Sequence, residues 1–511
     1  MKKYKIFGSL GIIILVTIIS CKKNFFDAVP QDGSVSEAGS YKTKADFDKG
    51  IVGAYVDLQS TVDRALSLPG FASLDIVNGE GNAVEYDRMF DPNNSLTSNF
   101  YRNYYRIVAN ANVVIDRLEK IDAGILSEEE KKRAYGQVKF LRGYAYSSLT
   151  QAFGDIPMVL KPYSETQNTI SCTPSAQVWD QVILDLTQAA DNLPETKQWA
   201  GSDIGRVGKG AALAYLAQAY MYKKDWDKAA TTVEKMLALR SPQYMLFPSV
   251  RTVFSSKNRN LDESVFEIQF NPQSADKWLS WGGNSPINGH TLPTQTAPPN
   301  IGDTWCNFGG WGNYILSPQA LTAYAPGDDR RKQLIIKYPE SYKGELMTDS
   351  FKAINWGKFP LESSNPSDTF PGNRRNNGYS TKYWFGVSRL PAGENVIMMR
   401  FADVKLNYAE ILFNKGNSAA AYAQLNDVRT RAKLAPRTVS ADPQVFLNDL
   451  MAERRAELML EPNLWWHYTR LDIAVKFIKD NYNVTMQPKY KYYPIPQRER
   501  DINPGLCSNG Y

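Results

Sequence analysis

The stretch ALAYLAQAYMYKKDWDKAATTVEKMLALRSP, from Ala212 to Pro242, has the pattern of two short helices joined by a tight turn. Small residues at Ala217 and Ala229 let the two helices approach closely, and Tyr220 and Trp226 can fill the groove between them. This pattern is typical of a tetratricopeptide-like helix pair, in which each pair must bury its apolar face against neighbouring helices.

Two other parts of the chain carry similar signals. The pattern returns between Arg400 and Pro436, with a turn at Gly416-Asn417. Apolar residues at helical spacing predict a further antiparallel pair over Asn99 to Lys120 and Glu128 to Phe153. Because the pairs are scattered and not tandem, we expect a mainly α fold, with tetratricopeptide-like helix pairs as a scaffold, long loop-rich insertions and a few short strands. Two such strands are predicted at Ser264 to Phe270 and Val396 to Phe401.

Composition indicates a folded, mostly globular chain. It has 511 residues, of which 43% are hydrophobic and 22% charged, which is unlike a disordered chain. The net charge is +6, but three of the lysines lie within the first five residues. The rest is nearly balanced, which argues against a nucleic-acid partner.

The N-terminus has the features of an export signal. Lys2, Lys3 and Lys5 precede the apolar stretch from Phe7 to Ile19, which is too short to span a membrane. The following Ile18-Ile19-Ser20-Cys21 resembles a bacterial lipobox. We therefore predict a signal peptide over residues 1–20 and a lipid-modified Cys21 that holds the protein on a membrane surface. An ordinary secretory signal with an incidental cysteine is the alternative.

The remaining cysteines are Cys172, Cys306 and Cys507. Three thiols allow at most one disulfide, and their spacing fits no zinc pattern. We expect them mostly as small buried apolar residues. Neither a metal nor a cofactor is predicted.

A long insertion from Trp278 to Ile315 has a composition that suits carbohydrate binding. It contains a single charged residue, Asp303, with seven glycines, four prolines and four tryptophans. The C–H face of a pyranose packs on an aromatic ring, and its hydroxyls need amide or charged partners. The predicted ligand contacts in this insertion are Trp281, Trp305, Trp311, Tyr314, Asn288 and Asn307. The alternative is that the rings hold the insertion to the scaffold.

The segment from Asp75 to Asn94 is the second candidate for ligand contacts. The side chains predicted to take part are Asp75, Asn78, Tyr86 and Arg88. The alternative is a solvated surface loop. Asp87 to Asn94 is rich in oxygen atoms, yet it lacks the spaced acidic pattern of a calcium loop.

Signals for an enzyme are weak. The chain has two histidines, His290 and His467, and no motif fixes a pair of catalytic carboxylates. Gly205 to Gly210 (GRVGKG) lacks the Ser or Thr of a phosphate-binding loop. The charged run at Glu453 to Glu457 is interpreted as scaffold ion pairs. A surface glycosidase remains as an alternative.

Several segments in order resemble the SusD/RagB family of Bacteroidetes outer-membrane lipoproteins. The segments that carry the resemblance are Asn24 to Pro30 (NFFDAVP), Tyr105 to Leu118 (YRIVANANVVIDRL), Gln151 to Leu160 (QAFGDIPMVL), Val178 to Pro194, Gly205 to Trp226, Arg400 to Ala432, Met451 to Leu471 (MAERRAELMLEPNLWWHYTRL) and Tyr492 to Pro504 (YYPIPQRERDINP). The sequence departs from the family pattern at Pro462 to Leu464 and at His467 to Thr469, in a region interpreted as scaffold.

The resemblance implies a SusD-like fold, with an N-terminal region of helical repeats over 21–250 and a C-terminal region over 251–511 that contains the insertion 278–315. It also implies a function: capture of a nutrient, usually an oligosaccharide, at the cell surface and its delivery to a SusC-like TonB-dependent transporter. The alternatives are a docking or lid subunit without its own glycan site and a binder of peptides.

Overall fold

The structure is a computed structural model that describes residues 41–77, 89–162, 170–195, 199–240, 244–254, 258–270, 289–297, 312–337, 377–383 and 394–511. Most of these residues are helical. The α-helices are α1 (Lys44–Gln59), α2 (Val62–Ala72), α3 (Ser95–Glu119), α4 (Glu128–Phe153), α5 (Ser175–Asn192), α6 (Lys209–Tyr222), α7 (Trp226–Leu237), α8 (Val250–Val253), α9 (Leu292–Thr296), α10 (Pro318–Leu321), α11 (Asp329–Leu334), α12 (Phe401–Asn414), α13 (Ser418–Arg431), α14 (Pro443–Leu458), α15 (Leu464–Arg470), α16 (Ala474–Tyr482) and α17 (Gln497–Ile502).

The strands are short and form three small antiparallel sheets. They are β1 (Ile76–Val77), β2 (Ile156–Pro157), β3 (Cys172–Thr173), β4 (Ser264–Ile268), β5 (Ile315–Leu316), β6 (Ile335–Lys337), β7 (Gly378–Ser380) and β8 (Val396–Arg400). The two predicted strands, β4 and β8, are confirmed and pair with each other. Sequence patterns did not predict the two- and three-residue strands, because a pairing this short leaves no periodicity to detect.

The predicted helix pairs are confirmed. Helices α6 and α7 form the pair encoded by residues 212–242, α12 and α13 form the second, and α3 packs against α4. Ala217 and Ala229 are both buried where the first pair closes. Helix α3 begins a turn earlier than predicted because the side chain of Asn94 accepts hydrogen bonds from the first backbone N–H groups of the helix.

Helix α4 runs through the centre of the molecule and is buried along most of its length. It begins at a capping box made by Ser127 and Glu130 and ends at Gly154, whose φ of 72° is a conformation that favours glycine. One hydrophobic cluster around this helix reaches from Ala54 on α1 to Ile495 near the C-terminus. The two sequence regions therefore share one core.

A buried network of charges joins the C-terminal helices to the strands. Glu457 on α14 contacts the guanidinium groups of Arg330, Arg400 and Arg431, the second of them at 2.7 Å. Burial alone would raise the pKa of Glu457, but these three cations hold it well below its usual value. The prediction that the charged run on α14 makes scaffold ion pairs is thus confirmed.

The expectation for the cysteines was wrong for two of the three. Cys172 on β3 and Cys507 form a disulfide, and both residues are only partly buried. The bond ties the C-terminal tail to the first half of the chain, and the Asn503 side chain donates to the carbonyl of Ile170 beside it, at 2.8 Å. The sequence separation of 335 residues hid the pairing. Cys306 lies outside the described residues.

Candidate ligand-binding site

The four-stranded sheet brings together the ends of the two predicted ligand segments. Its strand order is β1-β5-β7-β6. Strand β1 ends at Val77, directly before residues 78–88, and β5 begins at Ile315, where the insertion 278–315 ends. Val77 and Ile315 face each other in the β1–β5 register. The helical scaffold and its four-stranded sheet are together called the frame. The two segments therefore join the frame at adjacent positions, although they are far apart in sequence.

The same sheet also fixes both ends of residues 338–376. Lys337, the last residue of β6, is paired with Gly378, the first residue of β7. Gly378 is closely packed, since a Cβ atom there would lie 2.6 Å from a methyl group of Leu321, which would have to move. Close packing thus sets this second junction, and three long segments leave from one small sheet.

Asp75 was predicted to contact the ligand, but the structure places it in the interior, 1% exposed. One of its carboxylate oxygens accepts hydrogen bonds from Arg455 Nε and Nη2, at 3.1 and 2.6 Å, and from the Tyr482 hydroxyl, at 2.6 Å. A buried carboxylate needs such partners, which explains its position. Asp75 therefore anchors the start of β1 and is not presented to a ligand.

Tyr314 is likewise buried, at 4% exposure, and not presented as predicted. Its hydroxyl donates to Asp63 on α2 at 2.5 Å, and its ring packs edge-on against Phe71 with centroids 5.6 Å apart. Burial and the neighbouring carboxylate raise the pKa of Tyr314, so the hydroxyl stays protonated and donates. Tyr314 therefore holds the end of the insertion to α2, which is the role that the alternative gave to the tryptophans.

Hydrogen bonds also hold the chain at Phe270, before the insertion, and at His290 and Leu292 within it. Asn395, next to β8, accepts a hydrogen bond from the backbone N–H of Phe270 at 3.1 Å and donates to Glu267 at 2.8 Å. His290 accepts from the backbone N–H of Leu292 at Nδ1, so its Nε2 carries the proton and donates to the carbonyl of Glu394 at 3.0 Å. Burial lowers the pKa of His290 to about 4, and the ring is neutral near pH 7.

The other predicted contacts lie outside the described residues and stay predictions. They are Trp281, Trp305, Trp311, Asn288, Asn307, Asn78, Tyr86 and Arg88, together with the lipid-attachment residue Cys21. What the structure adds is the frame to which their segments are attached. Arg455 and Tyr482, which hold Asp75, were not identified as its partners from the sequence, because a separation of 380 residues or more leaves no local signal.

A cleft of about 230 Å³ lies between α14 and α16. Its floor contains Tyr468 and Phe477, which stack on each other with ring centroids 4.0 Å apart, and the Arg455 guanidinium lies over Phe477. Both rings are less than a tenth exposed. The cleft therefore offers no open ring face on which a sugar could stack.

Within the parts of the chain that the structure describes, no helix is both long and apolar enough to cross a membrane. Among the same residues, no three acidic, histidine or cysteine side chains come together as a metal site would require.

With the fold and this frame described, comparisons with known proteins identify the class: the chain belongs to the SusD/RagB family. The model described as the SusD family matches residues 262–511, and a model described as "Starch-binding associating with outer membrane" matches residues 56–221. The mainly helical, tetratricopeptide-like fold predicted from the sequence is confirmed by the helices described above and by the solved structures that share the fold.

Two relatives are similar in sequence over much of the chain. "SusD-like protein P2" of Formosa agariphila is 25% identical, over 100% of this chain and 99% of its own. A "SusD-like protein" of Bacteroides ovatus is 25% identical, over 72% of this chain and 64% of its own.

Solved structures share the fold. A "Laminarin binding SusD-like protein" superposes with a TM-score of 0.75 at 22% identity, covering 92% of this chain and 100% of that one. Surface glycan-binding protein A from Bacteroides thetaiotaomicron, in complex with laminarihexaose, gives a TM-score of 0.72 at 21% identity, with the same coverage.

Proposed function

We propose that the protein is a cell-surface glycan-binding lipoprotein that captures an oligosaccharide and delivers it to a SusC-like TonB-dependent transporter. The observation that carries this proposal is the β1–β5 pairing of Val77 with Ile315, which attaches both predicted ligand segments at one place on a buried frame. Membership of the SusD/RagB family supports the same function.

Aromatic stacking supplies most of the binding free energy in this proposal. Trp281, Trp305 and Trp311 contact the C–H faces of the sugar, each contributing about 1–3 kcal/mol by analogy with the stacking of bases on aromatic side chains. Hydroxyl groups of the sugar bind amide and charged groups, for which the proposed residues are Asn288, Asn307, Asn78, Tyr86 and Arg88. The laminarin and laminarihexaose named for two proteins of the same fold make β-glucan oligosaccharides the first ligands to test.

The proposed location is the outer membrane, facing the cell exterior, with lipid attached at Cys21. Two observations support export. One of the two matching family models is described as associating with the outer membrane. The disulfide between Cys172 and Cys507 is a kind of bond that persists in oxidising compartments outside the cytoplasm.

Binding without catalysis is part of the proposal. The only two histidines of the chain, His290 and His467, are both buried, and their pKa values are lowered to about 4. Neither is placed to act as a general base on a bound ligand near neutral pH. Glycan turnover would have to depend on other residues.

Calorimetric titration of the protein from Lys22 onward with a panel of oligosaccharides, including laminarihexaose, tests the proposal. We expect saturable binding and no release of reducing ends. Absence of binding to every glycan would favour a docking or lid subunit. Saturable binding of peptides would favour the peptide alternative, and release of reducing sugar would favour a glycosidase. Each of these three results would contradict the proposal.

Single substitutions separate ligand contacts from structural rings. Trp305→Ala and Trp311→Ala should each weaken binding by about fivefold to a hundredfold while the melting temperature stays nearly constant. The control is Trp226→Phe on α7, where a half-buried ring packs against the core. That variant should keep the affinity of the parent protein. A large loss of melting temperature in either alanine variant would mark its tryptophan as part of the core.

A further inference from the structure

The β1–β5 pair is held at one end by a buried polar cluster, formed by Asp75, Ser317, Arg455 and Tyr482. Asp75 directly precedes β1 and Ser317 directly follows β5, so they sit side by side in the antiparallel pair. The backbone N–H of Ser317 donates to the carbonyl of Asp75 at 2.9 Å. The other end of the pair, at Val77 and Ile315, is where the two candidate ligand segments attach.

Arg455 on α14 is the centre of the cluster. Its guanidinium donates to the Asp75 carboxylate from two nitrogens, to the carbonyl of Gln319 on α10 at 3.1 Å, and to Asn481 on α16 at 2.8 Å. The residue is only 7% exposed, so these donors have little access to water. The planar guanidinium can reach all these acceptors at once, which an ammonium group could not.

Tyr482 on α16 connects the two strands. Its hydroxyl donates to Asp75 at 2.6 Å and lies 3.3 Å from the hydroxyl of Ser317, which in turn caps α10 by accepting from the N–H of Ala320. Burial raises the pKa of Tyr482, so it stays protonated and keeps donating. One tyrosine thus bridges the residue before β1 and the residue after β5.

We propose that Asp75, Arg455 and Tyr482 are positioning residues: from α14 and α16 they fix the β1–β5 pair, and thereby the place and direction in which the ligand-binding segments leave the frame. This inference rests on the proposed function for its biological meaning, but not for its structural test. The paired strands are only two residues long, and a strand pair this short is at best marginally stable without further contacts. The cluster adds hydrogen bonds from α14 and α16, outside the sheet, that hold β1 and β5 together.

The test is hydrogen–deuterium exchange on the full exported chain, purified in detergent, with Tyr482→Phe as the principal variant. Removing one buried hydroxyl that bonds to a carboxylate should raise exchange in peptides covering 74–78 and 314–318 by about tenfold. Tyr422→Phe is the matched control, because its buried hydroxyl also bonds to an aspartate, Asp449 at 3.0 Å, between α13 and α14. The control should leave those two peptides unchanged.

Arg455→Lys is a second variant that keeps the positive charge but replaces the planar guanidinium, with its several N–H donors, by an ammonium group. It should reproduce the local exchange of Tyr482→Phe. Equal exchange at 74–78 and 314–318 in all variants and the parent would overturn the inference. A uniform rise over the whole chain in Tyr482→Phe, matched by Tyr422→Phe, would overturn it too, since that marks a general loss of stability.

Affinity for laminarihexaose is measured in parallel. If the parent protein binds it, Tyr482→Phe should lose affinity several-fold and Tyr422→Phe should not; equal affinity in both variants would contradict the positioning role. If the parent binds no glycan, the proposed function fails, and the exchange experiment still decides whether the cluster fixes the β1–β5 pair.

Discussion

His467, on α15, lies in a buried polar group with Arg454, Asp403, Arg470 and Glu410. Its Nε2 lies 2.6 Å from Arg454 Nη1 and accepts the hydrogen bond. Burial, followed by the charge of Arg454, lowers the pKa of His467 to about 4, against 6.5 in an unfolded chain. The folded state therefore favours the neutral ring, and acid disfavours the fold.

The two histidines each add a pH-dependent contribution to the stability of the fold. The folded state loses stability as pH falls through 6.5 toward 4, by about 3 kcal/mol for each fully buried histidine. We expect His467→Gln to remove about half of this slope and His290→Gln the other half, measured as the urea midpoint at several pH values. The charges of Arg470 and Arg454 outweigh the effect of burial and lower the pKa of Glu410 to about 2. The stability that Glu410 contributes is therefore lost between about pH 4.5 and 2, mostly below the range in which the histidines titrate. An unchanged slope in both variants would contradict these assignments.

Tyr314 bonds to the scaffold and is not presented to a ligand, so its substitution should lower the stability of the fold. Tyr314→Phe removes a buried hydrogen bond to the Asp63 carboxylate and should cost about 1.5–3 kcal/mol of unfolding free energy. In an Asp63→Asn background the same change should cost less, because the charged partner is already gone. Chemical denaturation of the four proteins in this cycle measures both values. Equal costs in the two backgrounds would show that the charge of the Asp63 carboxylate adds nothing to the bond.

At the scale of elements, the C-terminal tail is held to the β2–β3 hairpin by the disulfide between Cys172 and Cys507. The bond closes a loop of 335 residues, and cross-linking a long loop restricts the unfolded chain. Replacing both cysteines by serine should lower the unfolding free energy by about 2–5 kcal/mol. Thermal denaturation with and without dithiothreitol checks this. Reductant should destabilise the parent and leave the double variant unchanged, and a parent insensitive to reductant would contradict the prediction.

The helices could be predicted from the sequence, whereas the junctions could not. Apolar spacing placed α3, α4 and the two repeat pairs within a few residues, and α3 buries one side of a periodic pattern as that spacing predicts. Strands β1 and β5 are two residues long, and their pairing depends on Asp75 and on Arg455 and Tyr482, which lie at least 380 residues further along the chain. Asp75 was misassigned for the same reason. A carboxylate next to a loop is easily interpreted as a ligand contact when its buried partners, here Arg455 and Tyr482, cannot be identified from the sequence.

At the scale of the molecule, the buried charges around Glu457 join helices α11, α13 and α14 to strand β8. Glu457→Gln would leave Arg330, Arg400 and Arg431 with one carboxylate fewer in a site closed to water. Breaking a buried ion pair from one side typically costs about 3–5 kcal/mol, and we expect a loss of that size by chemical denaturation. The control is Glu129→Gln, whose partner Arg133 is on an exposed face of α4, and it should change stability little. A small loss in Glu457→Gln would show that the network is replaceable.

The most direct test of the central claim is iodide quenching of tryptophan fluorescence, with and without bound oligosaccharide. Of the eleven tryptophans, Trp179, Trp199, Trp465 and Trp466 are at most 7% exposed, and Trp226 is half-buried on α7. Trp281, Trp305 and Trp311 of the proposed site are three of the six other tryptophans, and we expect iodide to reach them. We expect a quenchable fraction of the emission that shrinks in Trp305→Ala and Trp311→Ala and is shielded by a bound oligosaccharide. Emission that iodide cannot reach, and that no glycan alters, would contradict it.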